Sequence, residues 1–211
     1  MSGWWSPLFG SCTGGEKPGG LALTQHAAAR CGFGASSRLL DVAAGAGETV
    51  RFLRRTLGCQ AVGLDSDPSR HSGDVVPGRA EALPFPAAAF DGVLLECALS
   101  QIEQPDSALA ECARVLCASG FLVLSDLYAR RGSGPVQTPL GRLDSRKSLE
   151  YRLRRAGLEP VLFEDHSRAL TDLWAGAVLS GTACTVPLRG PDWPEDLRCG
   201  YYLCTAQKLR E

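Results

Sequence analysis

The sequence predicts an α/β protein with a mostly parallel sheet and helices on both faces. Three observations favour this class: short apolar strand segments alternate with amphipathic helical segments, several strands are apolar throughout, and glycines end several helices. The length of 211 residues suits one domain, and 45% hydrophobic against 21% charged residues is ordinary globular composition.

The first half of the chain begins with an irregular arm, residues 1–20, rich in Gly, Ser and Pro and carrying Trp4 and Trp5. Thr24 is expected to cap a short helix that ends at Gly32, because Thr is a good N-cap and Gly a common terminator. Apolar runs then predict buried strands, with an amphipathic helix between the first two. These elements are a strand at 39–42, a helix at 49–57, and strands at 61–64 and 90–95.

The second half continues the alternation of helix and strand. Apolar residues aligned on one face, such as Leu149, Leu153 and Ala156, predict the helices. Between strands 61–64 and 90–95, the Pro and Gly of residues 66–78 allow at most one helical turn. The remaining elements are helices at 106–116, 145–156 and 170–178, and strands at 121–124, 161–163 and 201–206.

Composition excludes several classes of partner. Twenty-two Lys and Arg against 23 Asp and Glu give a net charge of −1, without the basic excess typical of nucleic-acid binding. No apolar run approaches the roughly 20 residues of a membrane helix, and residues 1–20 do not form a secretory signal. The nine cysteines form no CxxC pair, which predicts reduced thiols in a cytoplasmic protein and no metal site.

The sharpest motif is the small-residue loop Asp41-Val42-Ala43-Ala44-Gly45-Ala46-Gly47, between the first strand and the helix 49–57. Such a loop lets a ligand lie against the backbone and the helix N-terminus. Asp65, at the end of the second strand, can bind ribose hydroxyls, so the pair predicts a nucleoside-containing cofactor. Valine at position 50 replaces the third glycine of the dinucleotide fingerprint, which disfavours a nicotinamide oxidoreductase without excluding it.

Later segments extend this motif. They are Gly78-Arg79-Ala80-Glu81-Ala82-Leu83-Pro84-Phe85, Phe90 to Glu96, Ala110 to Leu116 and Gly120 to Asp126. Together with the loop and Asp65 they resemble the class I S-adenosylmethionine-dependent methyltransferases, in the type 11-like branch that modifies small molecules. The resemblance covers about residues 36–128. It implies a Rossmann-like fold with seven strands, the last antiparallel, and S-adenosylmethionine as cofactor with S-adenosylhomocysteine as product.

The resemblance also implies roles for individual residues. Ala43 stands where the family usually has glycine, which is tolerable if its φ is negative. The short 66–78 connection departs from the family, which places a whole helix and a third strand there. The expected cofactor contacts are Asp41 to Gly47, including Ala43 and Gly45, for the methionine part and ribose; Asp65 for the ribose hydroxyls; Ser66, Ala80 and Glu81 for the adenine; and Glu96 with Cys97 beside the sulfonium and the acceptor pocket.

The function expected is methyl transfer to a small-molecule acceptor, with no membrane or nucleic-acid partner and an undetermined oligomeric state. One alternative is a non-catalytic S-adenosylmethionine-binding accessory or sensor protein. Another is an arsenite methyltransferase using Cys97 and Cys12. No residue is assigned as catalytic base; the candidates by position are His26, His166, Glu96, Glu103 and Tyr128.

The segments outside the cofactor motifs are expected to cover the site. Residues 1–35 would form an arm and a lid helix, and residues 36–211 the methyltransferase domain. Within that domain, residues 129–144 and 167–198, the latter with Trp174 and Trp193, would form an apolar lid. A lid suits a transfer that must exclude water.

Overall fold

A computed structural model describes the chain at residues 17–67, 69, 73–132, 134–138, 140–179 and 197–210. The predictions for Trp4, Trp5, Cys12 and Trp193 lie outside these residues. The described residues form a seven-stranded sheet with helices on both faces, as predicted. No helix among them is long and apolar enough to cross a membrane.

The sheet has the strand order β3-β2-β1-β4-β5-β9-β8. The first five strands in this order are parallel, and β9 runs antiparallel to both of its neighbours. This confirms the expected topology, including the antiparallel last strand. The strands are β1 (Arg38–Val42), β2 (Gln60–Asp65), β3 (Val75–Pro77), β4 (Phe90–Glu96), β5 (Leu116–Ala129), β8 (Leu158–Asp165) and β9 (Cys199–Lys208).

Among the described residues, five α-helices cover the sheet. They are α1 (Gly20–Arg30), α2 (Glu48–Leu57), α3 (Pro105–Val115), α4 (Arg146–Arg155) and α5 (Ser167–Leu179). Residues of α1, α2 and α5 share one apolar core, and residues of α3 and α4 share the other. Adjacent residues of β1 feed opposite cores, Leu39 the first and Leu40 the second. Both faces of the central strands are therefore covered, which explains the apolar runs in β1, β4 and β5.

Three parts of the fold differ from the sequence prediction. Helix α1 begins at Gly20 rather than after Thr24, because the Thr24 side chain is buried and donates a hydrogen bond to Glu96 instead of capping. A third strand is present after β2: β3 is three residues long and pairs with β2 in parallel, with Val75 buried. Strand β5 begins five residues earlier than predicted, at Leu116 instead of Phe121.

The 129–144 segment, predicted as a loop, contains a small antiparallel hairpin, β6 (Val136–Thr138) with β7 (Gly141–Leu143). Leu140 and Leu143 are buried in the same core as α1 and α5, so the hairpin packs on that face of the sheet. Residues 68 and 70–72 lie outside the described part of the chain, so the limit of one helical turn at 66–78 stays a prediction.

Candidate functional site

The candidate site lies where the carboxyl ends of β1, β2 and β4 meet the N-terminus of α2. Strand β1 is the turning point of the sheet, because the chain proceeds from it to β2 on one side and returns to β4 on the other. Open α/β sheets bind ligands in the crevice at such a point. The predicted site residues lie on the strand ends and loops around this crevice, including Asp41, Asp65 and Glu96.

The loop after β1 adopts left-handed backbone at three positions: Ala43 has φ +60°, Gly45 +56° and Gly47 +76°. Gly47 is also the N-cap of α2, which presents its first N–H groups and the positive end of its dipole to the crevice. Gly63 of β2 lets the loop lie close, because a Cβ there would come within 2.7 Å of the Ala44 Cβ. The loop is therefore held against β2 by its backbone.

The condition under which alanine would be tolerated at position 43, a negative φ, is not met. A left-handed conformation costs an L-residue about 1–2 kcal/mol, and such strain collects at functional sites. The methyl group is tolerated here because the loop, held between β1 and α2, imposes the conformation that glycine would adopt freely.

Replacing Ala43 with glycine is expected to raise the free energy of unfolding by about 0.5–1 kcal/mol. Glycine removes the strain of the left-handed backbone. Part of the gain in stability is offset, because glycine has more conformational freedom in the unfolded chain. Ala44→Gly is the matched control, because Ala44 lacks a positive φ and its replacement should only destabilise. Urea denaturation measures both, and destabilisation of the two variants alike would contradict the strain at Ala43.

Asp65 fastens the loop to the end of β2. The Gly45 N–H donates to Asp65 Oδ2 at 2.8 Å and the Asp67 N–H donates to Asp65 Oδ1 at 2.9 Å. Each carboxylate oxygen can accept more than one hydrogen bond, so the group retains capacity for a ligand hydroxyl. The binding of ribose hydroxyls by Asp65 stays a prediction.

The predicted adenine-side residues follow along the same edge. Ser66 is exposed directly after β2, and Ala80 is buried. Glu81 is partly buried and paired with Arg79 at 3.2 Å. The structure thus brings these residues to one side of the crevice, next to Asp65 and β3.

Asp41 is the acidic residue with the most unusual environment in the site. It is 4% exposed, and none of the hydrogen bonds within the described part of the chain involves its carboxylate. Burial, reinforced by the Glu96 carboxylate, raises the pKa of Asp41 to about 8, while Lys17 opposes the shift. A buried acceptor without a donor is suited to a cationic ligand, and the methionine part of S-adenosylmethionine carries an ammonium group.

Glu96 is held at the end of β4 by three donors. Thr24 of α1 donates to Oε1 at 3.0 Å, Lys17 forms an ion pair with Oε2, and the Thr49 hydroxyl lies 3.4 Å from Oε2. Lys17 was missed by sequence reasoning. The only feature of the sequence that marks Lys17 is the scarcity of lysine, because it is one of three lysines in a chain rich in arginine.

Cys97, the next residue, takes a left-handed backbone with φ +55°. Its N–H donates to the Ser125 carbonyl at 2.6 Å, and its Sγ lies 3.0 Å from the Tyr201 hydroxyl, which also bonds Ser125 Oγ at 3.0 Å. Burial raises the pKa of Cys97, so the thiol is protonated at neutral pH. Tyr201 and Ser125 are thus further polar groups at this end of the sheet.

The candidates for a catalytic base are not gathered around the crevice. His26 and His166 both pair with Glu164 of β8, at 3.0 and 2.9 Å. Tyr128 packs its ring against Phe163 and Tyr202 on the opposite core. Glu103 is exposed, and the carboxylate of Glu96 is already ion-paired.

The chain is similar in sequence and fold to known methyltransferases. Residues 40–124 match the family model described as "Methyltransferase domain". The chain is 29% identical over 168 residues to the glycine/sarcosine/dimethylglycine N-methyltransferase of Actinopolyspora halophila, covering 69% of this chain and 30% of that protein. It is 35% identical over 111 residues to the demethylmenaquinone methyltransferase of Renibacterium salmoninarum, covering 48% and 45%. The chain therefore spans less than half the length of these two relatives.

A solved structure shares the fold. The phosphoethanolamine N-methyltransferase 2 of Haemonchus contortus, in complex with S-adenosyl-L-methionine, superposes with a TM-score of 0.69 at 16% identity. The match covers 99% of this chain and 56% of that one.

Proposed function

We propose that residues 40–124, which match the methyltransferase domain model, bind S-adenosylmethionine as in class I methyltransferases, and that this chain transfers a methyl group from it to a small-molecule acceptor. The observation that carries the proposal is the buried Asp41 carboxylate, which lacks a hydrogen-bond donor in the described chain. It stands between a glycine loop at a helix N-terminus and the ribose-type acid Asp65. A ligand with a cationic end for Asp41 and a nucleoside end for Asp65 fits this arrangement.

The cofactor is proposed to lie along the carboxyl ends of β1, β2 and β4. The loop Asp41 to Gly47 would hold its methionine part, with Asp41 facing the ammonium. Asp65 would accept the ribose hydroxyls, and Glu96 with Cys97 would border the reacting end. Ser66, Ala80 and Glu81 would line the adenine.

The bound cofactor supplies a methyl group already activated by its sulfonium. The chain's own part is therefore alignment of the acceptor and exclusion of water, and alignment alone can contribute about 7–11 kcal/mol to a bimolecular step. A base is needed only where the acceptor must lose a proton. Among the candidates in the described chain, Glu96 lies at the crevice but is ion-paired with Lys17, and His26 and His166 both pair with Glu164, so we assign no base.

The cover of the site is proposed to come from the elements on the α1 face. Helix α1 reaches Glu96 through Thr24, and the β6–β7 hairpin and α5 pack in the same core as Cys97. We assign residues 1–35 and the segments 129–144 and 167–198 to this lid, and residues 36–211 to the methyltransferase domain.

The alternative is a cytoplasmic S-adenosylmethionine-binding accessory or sensor protein without methyl transfer. It is favoured by the Lys17–Glu96 ion pair, which already neutralises the carboxylate beside the expected acceptor pocket. An arsenite methyltransferase is disfavoured, because metalloid ligation needs a thiolate and burial raises the pKa of Cys97.

The test uses the full chain with methyl-labelled S-adenosylmethionine and a panel of small acceptors, including glycine, sarcosine, dimethylglycine and a demethylmenaquinone analogue. Label is expected in one acceptor, and binding of S-adenosylhomocysteine is expected by calorimetry. Binding without transfer to any acceptor would favour the accessory or sensor alternative. Absence of both binding and transfer would contradict the proposal.

A further inference from the structure

The segment before α1 inserts a lysine into the candidate cofactor site. Lys17 Nζ forms an ion pair with Glu96 Oε2 and donates to Thr49 Oγ1 at 3.1 Å. The Lys17 side chain is 13% exposed and that of Glu96 5%, so the pair is largely removed from water. Lys17 thereby links the N-terminal side of the chain to the end of β4 and the first turn of α2.

The surroundings of Lys17 favour the charged, protonated form of its side chain. Burial by itself disfavours a charged ammonium, but the Glu96 carboxylate outweighs it and raises the pKa of Lys17, with further contributions from Asp41 and Cys97. Asp41 has no hydrogen-bond donor among the described residues, so its interaction with Lys17 is one of charge only. The position occupied by the Lys17 ammonium is therefore a cation subsite on the Glu96 carboxylate, with the acidic side chain of Asp41 in its surroundings.

This subsite is the one that the proposed function gives to the cofactor. S-adenosylmethionine brings an ammonium and a sulfonium to Asp41 and Glu96, and S-adenosylhomocysteine brings the ammonium alone. Like charges at contact distance repel strongly in a buried site. Lys17 and the cofactor thus compete for the same pair of acidic side chains.

We propose that Lys17 is a resident counter-ion that fills the cation subsite of the ligand-free protein and leaves it when the cofactor binds. The inference rests on the proposed function, because it assumes that the cofactor's cations bind at Asp41 and Glu96. Departure of Lys17 would release residues 17–19, directly before α1, from β4 and α2. Thr24 would still hold α1 to Glu96, so the change is confined to that segment.

The first experiment follows the reactivity of Lys17 in the unmodified chain. The protein is treated with limiting acetic anhydride, with and without saturating S-adenosylhomocysteine, and acetylation is measured by mass spectrometry. Lys147, exposed on α4 and remote from the site, is the internal control. Acetylation of Lys17 is expected to be at least fivefold slower than that of Lys147 without ligand, and to rise at least threefold with it. Stronger protection of Lys17 by the ligand would overturn the inference.

The second experiment removes the competing charge. Lys17→Met keeps the length of the side chain and is expected to bind S-adenosylhomocysteine at least fivefold more tightly than the wild type, while Lys147→Met binds within twofold. Weaker binding by Lys17→Met would make Lys17 a ligand of the cofactor and overturn the inference. Equal affinities with unchanged Lys17 acetylation would also overturn it, with the proposed function intact. Failure of both wild type and Lys17→Met to bind would instead reject the proposed function.

Discussion

Replacing Asp65 with alanine is expected to weaken binding of S-adenosylhomocysteine at least tenfold. The carboxylate accepts the Gly45 and Asp67 N–H groups, so the change removes the proposed ribose acceptor and a support of the loop. A hydrogen bond to a charged group contributes roughly 1.5–3 kcal/mol, and about 1.4 kcal/mol corresponds to a factor of ten in affinity. Calorimetric titration measures the change.

Two further variants sharpen this test. Asp91→Ala removes a carboxylate that pairs with Arg38 at 3.0 Å near the start of β4, at the opposite end of the sheet, and should leave the affinity within twofold. Asp65→Asn keeps the side-chain volume while removing the charge, and is expected to bind more weakly than the wild type. Wild-type affinity in Asp65→Ala would refute the ribose assignment.

Replacing Asp41 with asparagine is expected to stabilise the ligand-free protein, and to do so more strongly as the pH rises from 5 to 8. Burial and the Glu96 carboxylate raise the pKa of Asp41 to about 8, against roughly 3.9 in an unfolded chain. Between these values the folded state binds a proton that the unfolded state lacks, so this group's contribution to stability falls with increasing pH. Asparagine does not titrate and avoids the loss.

The size of the Asp41→Asn effect follows from the shift. One pKa unit corresponds to about 1.4 kcal/mol, so the variant is expected to exceed the wild type by about 2 kcal/mol or more at pH 8, and by much less at pH 5. Urea denaturation at several pH values measures the difference. The same variant should bind S-adenosylhomocysteine more weakly, because the carboxylate for its ammonium is lost.

Asp126→Asn is the matched control for Asp41→Asn. Asp126 is also buried, but it accepts hydrogen bonds from the Ser100 and Leu127 N–H groups at 2.8 and 2.7 Å. Burial raises the pKa of Asp126 to about 6, so the effect of replacing it does not vary with pH above that value, and the lost hydrogen bonds to a charged acceptor are expected to destabilise the protein at pH 7 and pH 9 alike. A stability difference between Asp41→Asn and wild type that does not vary with pH would contradict the raised pKa of Asp41.

Periodicity predicted the elements that are fixed by local pattern. Val50 and Leu53 of α2, three residues apart, are buried in the core of the protein as expected. The parallel strands lie where the sequence has its apolar runs. Thr24 shows the limit of prediction from local pattern. The sequence predicts it as a helix N-cap, whereas its buried side chain donates a hydrogen bond to Glu96, 72 positions away. The three-residue β3 is too short to carry a pattern, and it exists because β2 offers it an edge.

The site was predicted to a similar extent. The loop and Asp65 were visible because small residues, an acid and their spacing act together. The backbone of Ala43 was not visible, since the left-handed φ is imposed by the surrounding strand and helix. Lys17 was invisible for a different reason: its role depends on Glu96, 79 residues away, and nothing in its own neighbourhood marks it.

The place of β9 in the sheet governs how the chain can fold during its synthesis. β9 pairs with β5 from Phe121 to Ala129 and is also the sheet partner of β8, although residues 199–208 are translated after both. Until those residues leave the ribosome, β5 has an open apolar edge and β8 has no neighbour in the sheet. Open edges pair readily with other chains, so incomplete chains are exposed to aggregation. Nascent chains paused before residue 199 are therefore expected to depend on chaperone protection, and the sheet closes only when translation has passed residue 208.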